Sequence, residues 1–397
     1  MEIIKSKQDV SLNIKHKLTI GHFTLFCVLI FQFFSLSVIA EVPSIRVRIA
    51  KGLSHFYFSG IDLKKKLFAQ NISHVSPGKT ELLFNCDQVL QQIKNIKLYQ
   101  PLVSLSSQLG IINWKNAQYR GEMIISPSGR KAGCDLINEL GMETYISALL
   151  AKEMKSSWPA EALKAQAIAA RTYAYQKKIA NKEKDINRQS LFFDIENSEL
   201  HQVNGTFNDE TITTFIAAKE TQGEVLMAPN KELTPIFFHS KCGGKTLRPE
   251  QVWHNKVNGY TNVDCPYCAK HGKQSWSYRI PERQMARIIS DLRGGIKYSD
   301  ITLVQESQFR PEVKFYIKDV LSGVKKSDIR NVLGRDILPS NNFSLTKNNQ
   351  FVVLGGEGFG HGVGLCQFGA YEMAKQGFTY KQILKHYFPN HKIEKIY

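Results

Sequence analysis

The sequence contains no internal repeat and no low-complexity linker, which excludes a solenoid and a string of domains on long flexible tethers. Glycine and proline are also few, at 27 and 13 of 397 residues, while hydrophobic residues make up 43%. A chain of this composition buries enough apolar surface to fold, so disorder is excluded. The length allows one large domain or two smaller ones.

Acidic residues are scarce. The chain has 35 aspartates and glutamates against 52 lysines and arginines, which gives a formal net charge of +17. So basic a chain favours a polyanionic partner, such as a nucleic acid, an anionic lipid surface or an acidic cell-wall polymer. Charge alone does not choose among the three.

Charged residues are absent from residues 18–40, a largely apolar run that follows four lysines. The run ends on the small or modest residues Val38 and Ala40, as a signal peptide does. It is also long enough to anchor the chain in a membrane without cleavage. Either reading exports residues 41–397, which keep a net charge of +15 because residues 1–40 hold four lysines and two acids. Export makes an envelope polymer the expected partner and a nucleic acid an unexpected one.

Hydrophobic patterning predicts strands at both ends of the chain and helices in the middle. Residues 44–130 and 299–355 alternate apolar and polar positions, and Pro-Gly and Ser-Gly pairs mark turns in the first region. Residues 143–150 and 157–181 have helical periodicity. We therefore predict an α+β fold in which residues 41–118 are a strand-rich subregion of the exported domain.

The link between the two predicted helices holds Glu153, which is flanked by Met154 and Trp158. A carboxyl that is desolvated on one side keeps its proton near neutral pH, as a general acid must. An ordinary exposed glutamate fits the same spacing, so spacing alone does not decide.

Six of the seven cysteines follow residue 40. Two chelating pairs, H-x2-C and then C-x2-C, have the spacing of a tetrahedral zinc site. Their members are His239, Cys242, Cys265 and Cys268. A closed site with four ligands would be structural and would fix a loop, whereas a disulfide from Cys265 to Cys268 or Cys242 is the alternative that export permits. Cys366 is expected to be a small buried residue.

Several motifs, in order, resemble the stage II sporulation protein D family, which includes the amidase enhancer LytB. They are YRGEMII (119–125), INELGMETYI (137–146), EMKSSWPAEALKAQAIAARTYA (153–174), FFHSKCGGKT (237–246) and GFGHGVGLCQFGAYEMAKQGFTYKQILKHYF (358–388). The resemblance covers about residues 45–397. An ordered set of motifs is far more specific than any one of them.

The resemblance implies a peptidoglycan lytic transglycosylase, which cuts the glycan between N-acetylmuramic acid and N-acetylglucosamine, often on strands without stem peptides. It assigns the catalytic acid to the glutamate that opens the EM…WP…ALKAQA motif, here Glu153. One carboxyl suffices, because the 6-hydroxyl of muramic acid closes an anhydro ring. The amidase-enhancer name implies the alternative, a non-catalytic glycan-binding protein that stimulates an N-acetylmuramoyl-L-alanine amidase.

The segment GFGHGVGLCQFGA (358–370) is rich in glycine, which permits positive φ and a close approach of backbone to a ligand. We expect its bare backbone groups to face a sugar chain, with hydrogen bonds from the side chains of His361 and Gln367. A tight glycine turn with a satisfied core histidine is the alternative for His361.

Three side chains on the polar side of the long predicted helix are further candidate substrate contacts: Lys164, Gln166 and Arg171. The cations Lys164 and Arg171 would meet the acidic lactyl groups of muramic acid. A solvated helix face is the alternative for each of them.

Overall fold

The computed structural model describes residues 41–92, 100–128, 133–186, 192–198, 202–253, 255–271 and 275–397. The expected signal peptide or anchor, residues 1–40, lies outside these ranges. Within them, no helix is both long and apolar enough to cross a membrane. Val42–Tyr397 forms one compact unit.

The strand-rich N-terminal region is one sheet with nine described strands. They are β1 (Ser44–Leu53), β2 (His55–Leu67), β3 (Ile72–Asn85), β4 (Val103–Ser107), β5 (Ile111–Trp114), β6 (Ala117–Arg120), β7 (Glu122–Pro127), β8 (Cys134–Gly141) and β9 (Ile195–Glu196). Eight of them follow the order β6-β5-β2-β4-β7-β8-β1-β9, and β3 pairs with β2. Every pairing is antiparallel except that of β1 with β9. The predicted α+β class is confirmed, with strands where alternation placed them.

A disulfide closes this region. Cys86, the first residue of helix α1 (Cys86–Gln92), is bonded to Cys134 at the start of β8, with the two Cα atoms 5.9 Å apart. Both cysteines are fully buried in a core that also contains Phe56 and Phe58 of β2. The bond therefore ties the end of the long β2–β3 hairpin to the middle of the sheet.

Three helices form the centre of the molecule: α2 (Met142–Glu153), α3 (Ala160–Ile186) and α4 (Ile212–Glu220). One row of α3 residues, which includes Leu163 and Ala170, is buried against the sheet and α2. A second row of small residues, which includes Ala165 and Ala169, is buried in another core formed with the C-terminal part of the chain. Because alanine dominates both rows, α3 lies close to its neighbours on two sides.

The C-terminal half contains short strands and helices. They are β10 (Glu224–Met227), β11 (Phe238–His239), α5 (Pro249–Val252), β12 (Ser275–Pro281), α6 (Glu282–Leu292), β13 (Ile301–Leu303), β14 (Glu312–Ile317), β15 (Val320–Lys325), α7 (Lys326–Leu333), β16 (Phe343–Asn348), β17 (Phe351–Glu357), β18 (Leu365–Cys366), α8 (Gln367–Lys375), α9 (Tyr380–Tyr387) and β19 (Lys392–Lys395). Residues 275–357 enclose a core of their own between two three-stranded sheets and helices α6 and α7.

Two short strand pairs bring the end of the chain back to its centre. Strand β19 pairs with β10, and β18 runs parallel to β11, so Cys366 lies beside His239. Helices α8 and α9 pack on α3 within the second core. Helix α9 buries Ile383, Leu384 and Tyr387 and ends just before Pro389.

Candidate active site

Glu153 lies at the predicted junction between two helices, as the last residue of α2. Met154 leaves the helix with extended φ and ψ of −137° and 151°. The short loop that follows is closed by a hydrogen bond from Trp158 N–H to Lys155 O and is tied to α4 by Thr213 Oγ1, which donates to Ser156 O. The carboxyl therefore projects from a fixed turn.

Two hydrogen bonds reach the half-buried carboxyl of Glu153. Gln367 Nε2 donates to Oε2 at 3.5 Å, and the backbone N–H of Val203 donates as well. Burial raises the pKa of Glu153 above the ordinary 4.5, although both hydrogen bonds act in the opposite direction. The balance favours a carboxyl that holds its proton longer than an exposed glutamate does, which is the property that a general acid needs.

Buried polar contacts fix the segment that carries Val203. The hydroxyl of Tyr145 donates to Gln202 Oε1 at 2.9 Å, and Gln202 Nε2 donates to Ala170 O at 3.2 Å. Gln202 thereby links α2 to α3 directly beside Glu153. Sequence analysis missed this segment, because the group that contacts Glu153 is a backbone N–H and has no residue-type signal.

Gln367 comes from the glycine-rich segment, 214 residues after Glu153. It is buried and opens helix α8, immediately after the β11–β18 pairing. The structure thus brings two of the predicted site residues, Glu153 and Gln367, into contact.

The glycines themselves serve a different purpose from the expected one. A Cβ on Gly364 would lie 2.1 Å from Phe237 O, and one on Gly358 would lie 2.5 Å from Lys241 O. Both glycines have positive φ, at 76° and 90°. Several backbone groups of the segment are hydrogen-bonded to protein, including Phe359 to Lys241 in both directions. Glycine is thus required for close packing of backbone on backbone, which corrects the expectation that these groups face a sugar chain.

His361 is hydrogen-bonded to the backbone of its own segment. Its Nδ1 accepts the N–H of Val363 at 3.0 Å, and its ring lies 5.1 Å from Trp253 and 5.5 Å from His239. Burial is the main cause that lowers the pKa of His361 well below 6.5, and the nearby His239 and Arg330 lower it further. This geometry matches the alternative of a satisfied histidine in a glycine turn.

The structure places the three candidate substrate contacts on α3 as follows: two form ion pairs within the protein, and the third is fully buried. Lys164 lies between Glu161 and Glu220, at 2.8 and 2.7 Å. Arg171 is fully buried and forms a fork with Glu143 at 2.9 and 2.6 Å, so the predicted contact with muramic acid is corrected to an internal ion pair. Gln166 is fully buried, and neither of its amide atoms has a hydrogen-bond partner among the described residues.

Four cysteines converge beneath this region. The Sγ atoms of Cys242, Cys265, Cys268 and Cys366 all lie within 4.8 Å of one another, and all four residues are buried. His239, the predicted fourth ligand, instead directs Nδ1 to Val363 O at 3.0 Å. The observed cluster therefore differs from the predicted set in one member, because the β11–β18 pairing inserts Cys366.

A cluster of four half-buried rings adjoins Gln367, and we name it the four-ring cluster. Its members are Trp158, His271, Phe368 and Tyr371. The Trp158 ring centroid lies 5.1 Å from Phe368 and 4.9 Å from Tyr371, and His271 lies 5.7 and 4.7 Å from the same two rings. Sequence analysis did not identify Phe368 or Tyr371. The available signal was their spacing of three on a helix that begins at Gln367.

Comparison with known families matches a model described as "Stage II sporulation protein" (SpoIID) to residues 130–227. This range contains α2, α3, α4 and Glu153. Gln367 and the four-ring cluster residues after Trp158 lie outside it.

Several proteins are similar to this chain. An uncharacterised protein of Brachyspira hyodysenteriae is 30% identical over 300 residues, which cover 75% of this chain and 77% of that protein. Stage II sporulation protein D of Bacillus amyloliquefaciens is 29% identical over 266 residues, or 64% and 74% of the two chains. The amidase enhancer of Bacillus subtilis is 25% identical over 296 residues, or 62% and 39%.

Proposed function

The chain belongs to the stage II sporulation protein D family, and on that premise we propose that it is a peptidoglycan lytic transglycosylase with Glu153 as its acid and base. The observation that carries the proposal is the half-buried Glu153 carboxyl, whose pKa is raised by desolvation. Groups with perturbed pKa values cluster at functional sites. The substrate would be the bond between N-acetylmuramic acid and N-acetylglucosamine, on strands without stem peptides.

The proposed reaction uses one carboxyl twice. Protonated Glu153 gives its proton to the glycosidic oxygen as the bond from that oxygen to C1 of muramic acid breaks. The 6-hydroxyl oxygen then bonds to C1 and closes the 1,6-anhydro ring, and its proton returns to Glu153. In the described part of the chain no second carboxylate hydrogen-bonds Glu153 or shifts its pKa, and this reaction needs none, because no water has to be positioned.

Mass spectrometry of digested glycan tests the proposal. Purified full chain incubated with glycan freed of stem peptides should release products that end in 1,6-anhydro-muramic acid. Glu153→Gln should lower the rate by at least about a hundredfold, as expected for loss of a general acid. Glu161→Gln is the matched control and should retain most of the activity, because Glu161 pairs with Lys164. Full activity of Glu153→Gln would reject the mechanism.

A second function has its own support, the similarity to a protein named amidase enhancer. In that case the chain binds glycan and stimulates an N-acetylmuramoyl-L-alanine amidase without cutting the glycan itself. Product formation that requires an added amidase, with unchanged glycan chain length, would favour this function over the first.

We also propose that the four cysteines hold a structural zinc. Zinc–thiolate bonds of about 2.3 Å in a tetrahedron place sulfurs about 3.8 Å apart. The observed sulfurs fit this spacing, since all lie within 4.8 Å and Cys242 Sγ is 3.5 Å from Cys268 Sγ. A set of four thiolates leaves no open position, so zinc here would stabilise the fold and take no part in the reaction. Elemental analysis of the purified chain should find about one zinc per chain.

The Cys86–Cys134 bond supports the proposal that the protein acts outside the cytoplasm, because disulfides persist in oxidising compartments. Fractionation of cells followed by detection of the chain in the envelope or periplasm would test this location.

A further inference from the structure

We propose that the four-ring cluster is a subsite on which an N-acetylhexosamine ring of the glycan stacks, next to the Glu153 carboxyl. The inference rests on the proposed function and adds to it the surface that holds the sugar. It assigns a binding role to Trp158, Phe368 and Tyr371.

Two separate connections place the cluster beside Glu153. Phe368 directly follows Gln367, whose amide contacts the Glu153 carboxyl at 3.5 Å. Trp158 comes from the other side, in the short loop that links Glu153 to α3, and it packs on Phe368. A sugar that stacks on these rings is therefore held next to Glu153, the proposed acid.

Partial burial distinguishes these rings from those of the core. Tyr145 and Phe388 are almost completely buried, whereas all members of the four-ring cluster are only half-buried. Trp158 packs against the core of α2 and α3, and Phe368 packs against the other core of α3, so the cluster lies at the seam between two cores. Pyranose rings have apolar C–H faces, and aromatic rings pack against such faces while the hydroxyls stay in water.

Hydrogen bonds hold the cluster in place before any ligand arrives. His271 Nε2 lies 2.8 Å from Glu372 Oε2, and Lys241 Nζ donates to His271 O at 2.9 Å. At the exposed edge, the Lys375 ammonium lies 5.7 Å from the Tyr371 ring. A fixed surface loses less entropy on binding, and the cation suits the carboxylate of a muramic acid.

Binding to glycan tests the subsite without turnover. In a Glu153→Gln full chain, co-sedimentation with insoluble glycan strands freed of stem peptides should give a measurable Kd. Trp158→Ala and Tyr371→Ala should each weaken that binding about tenfold, the effect of an important interface contact. Tyr316→Ala is the matched control, because Tyr316 is an exposed tyrosine of β14 outside the cluster, and it should change the Kd less than about twofold.

Tryptophan fluorescence gives a second readout of binding. It uses Trp→Phe variants, which disturb the fold less than Trp→Ala does. A soluble tetrasaccharide of the same glycan should change the emission of the Glu153→Gln chain. Trp158→Phe should abolish most of that change, whereas Trp276→Phe should preserve it, because Trp276 packs on Phe343 within the core of residues 275–357.

The outcomes separate this inference from the proposed function. Unchanged binding of Trp158→Ala and Tyr371→Ala, with thermal unfolding near that of the parent, would overturn the subsite even if Glu153→Gln proves inactive. Loss of binding in both variants would support the subsite even if Glu153→Gln still forms anhydro products. Failure of the parent to bind glycan would also overturn it.

Discussion

At the scale of single residues, two opposing effects set the protonation of Glu153. Burial disfavours the charged carboxylate, while Gln367 and the Val203 N–H favour it. The bond from Gln367 is long, at 3.5 Å, and long hydrogen bonds are weak. Burial therefore has the larger effect on the pKa of Glu153. The raised pKa affects the stability of the protein as well as its proposed catalysis.

Glu153→Gln should make the protein more stable at neutral pH. The raised pKa of folded Glu153 means that stability is lost as pH rises through that pKa, because the unfolded chain gives up its proton more readily. The neutral glutamine escapes this loss, so the unfolding free energy of the variant should exceed that of the wild type at pH 7 and converge with it below about pH 4. Urea unfolding at several pH values measures the difference.

The control variant, Glu161→Gln, should change the unfolding free energy in the opposite direction. Burial acts to raise the pKa of Glu161, but hydrogen bonds from Lys164 and the Tyr380 N–H outweigh it and lower that pKa. Glu161→Gln should therefore lose stability at pH 7 relative to the wild type and lose less at acidic pH. Loss of stability in both variants would contradict the desolvation of Glu153.

Arg171 supports a further residue-scale prediction, because its guanidinium is fully buried against Glu143. Arg171→Met should destabilise the fold by about 3–5 kcal/mol, since it removes the cation that pairs with the Glu143 carboxylate near the core. The double variant Glu143→Leu/Arg171→Met should recover much of that loss. Urea unfolding would detect it, whereas a substrate contact would leave stability unchanged and weaken glycan binding instead.

At the scale of elements, periodicity identified α2 and α3 but not their limits. Helix α3 begins at Ala160 and continues to Ile186, beyond the predicted end at Asn181. The residues after Asn181 include lysines and glutamates, which are good helix formers, so the helix continues through them. Residue type alone does not distinguish a solvated last turn from a loop.

The cysteine cluster shows why one of its members escaped spacing analysis. Cys265 and Cys268 are close in sequence, so a local motif reveals them. Cys366 lies 124 residues after Cys242, and only the parallel pairing of β18 with β11 brings it into the cluster. Non-local strand pairing leaves no mark in local spacing, and His239 was chosen because it stood in the expected place.

Cys366→Ser should therefore lower the zinc content and the melting temperature, whereas His239→Ala should preserve the zinc content. The reason is that removal of one thiolate from a closed four-ligand site weakens metal binding and the folding energy coupled to it. Elemental analysis of both variants, with thiol counting under denaturing conditions, measures the effect. Zinc loss in His239→Ala alone would reinstate the ligand set predicted from the sequence.

At the scale of the whole molecule, the candidate site is a seam between two cores that share α3. Its groups come from the ends of α2 and α8 and from the Val203 segment, so the site exists only when the N-terminal and C-terminal parts fold together. Motif order indicated that the ends of α2 and α8 belong to one family site, but no motif contained Val203. Which side chains meet could not be read from motifs, because that depends on packing around a helix buried on two sides.

The charge of residues 41–397 predicts a salt dependence specific to acidic glycan. Residues 41–397 carry a net charge of +15, and strands without stem peptides expose the lactyl carboxylates of muramic acid. Screening shortens the reach of these charges from about 10 Å at 0.1 M salt to about 3 Å at 1 M. The Glu153→Gln chain should therefore bind glycan about tenfold or more weakly at the higher salt. Binding to a chitin oligosaccharide, which lacks the carboxylates, should change less than about twofold, and equal salt dependence for both ligands would show that net charge does not guide recognition.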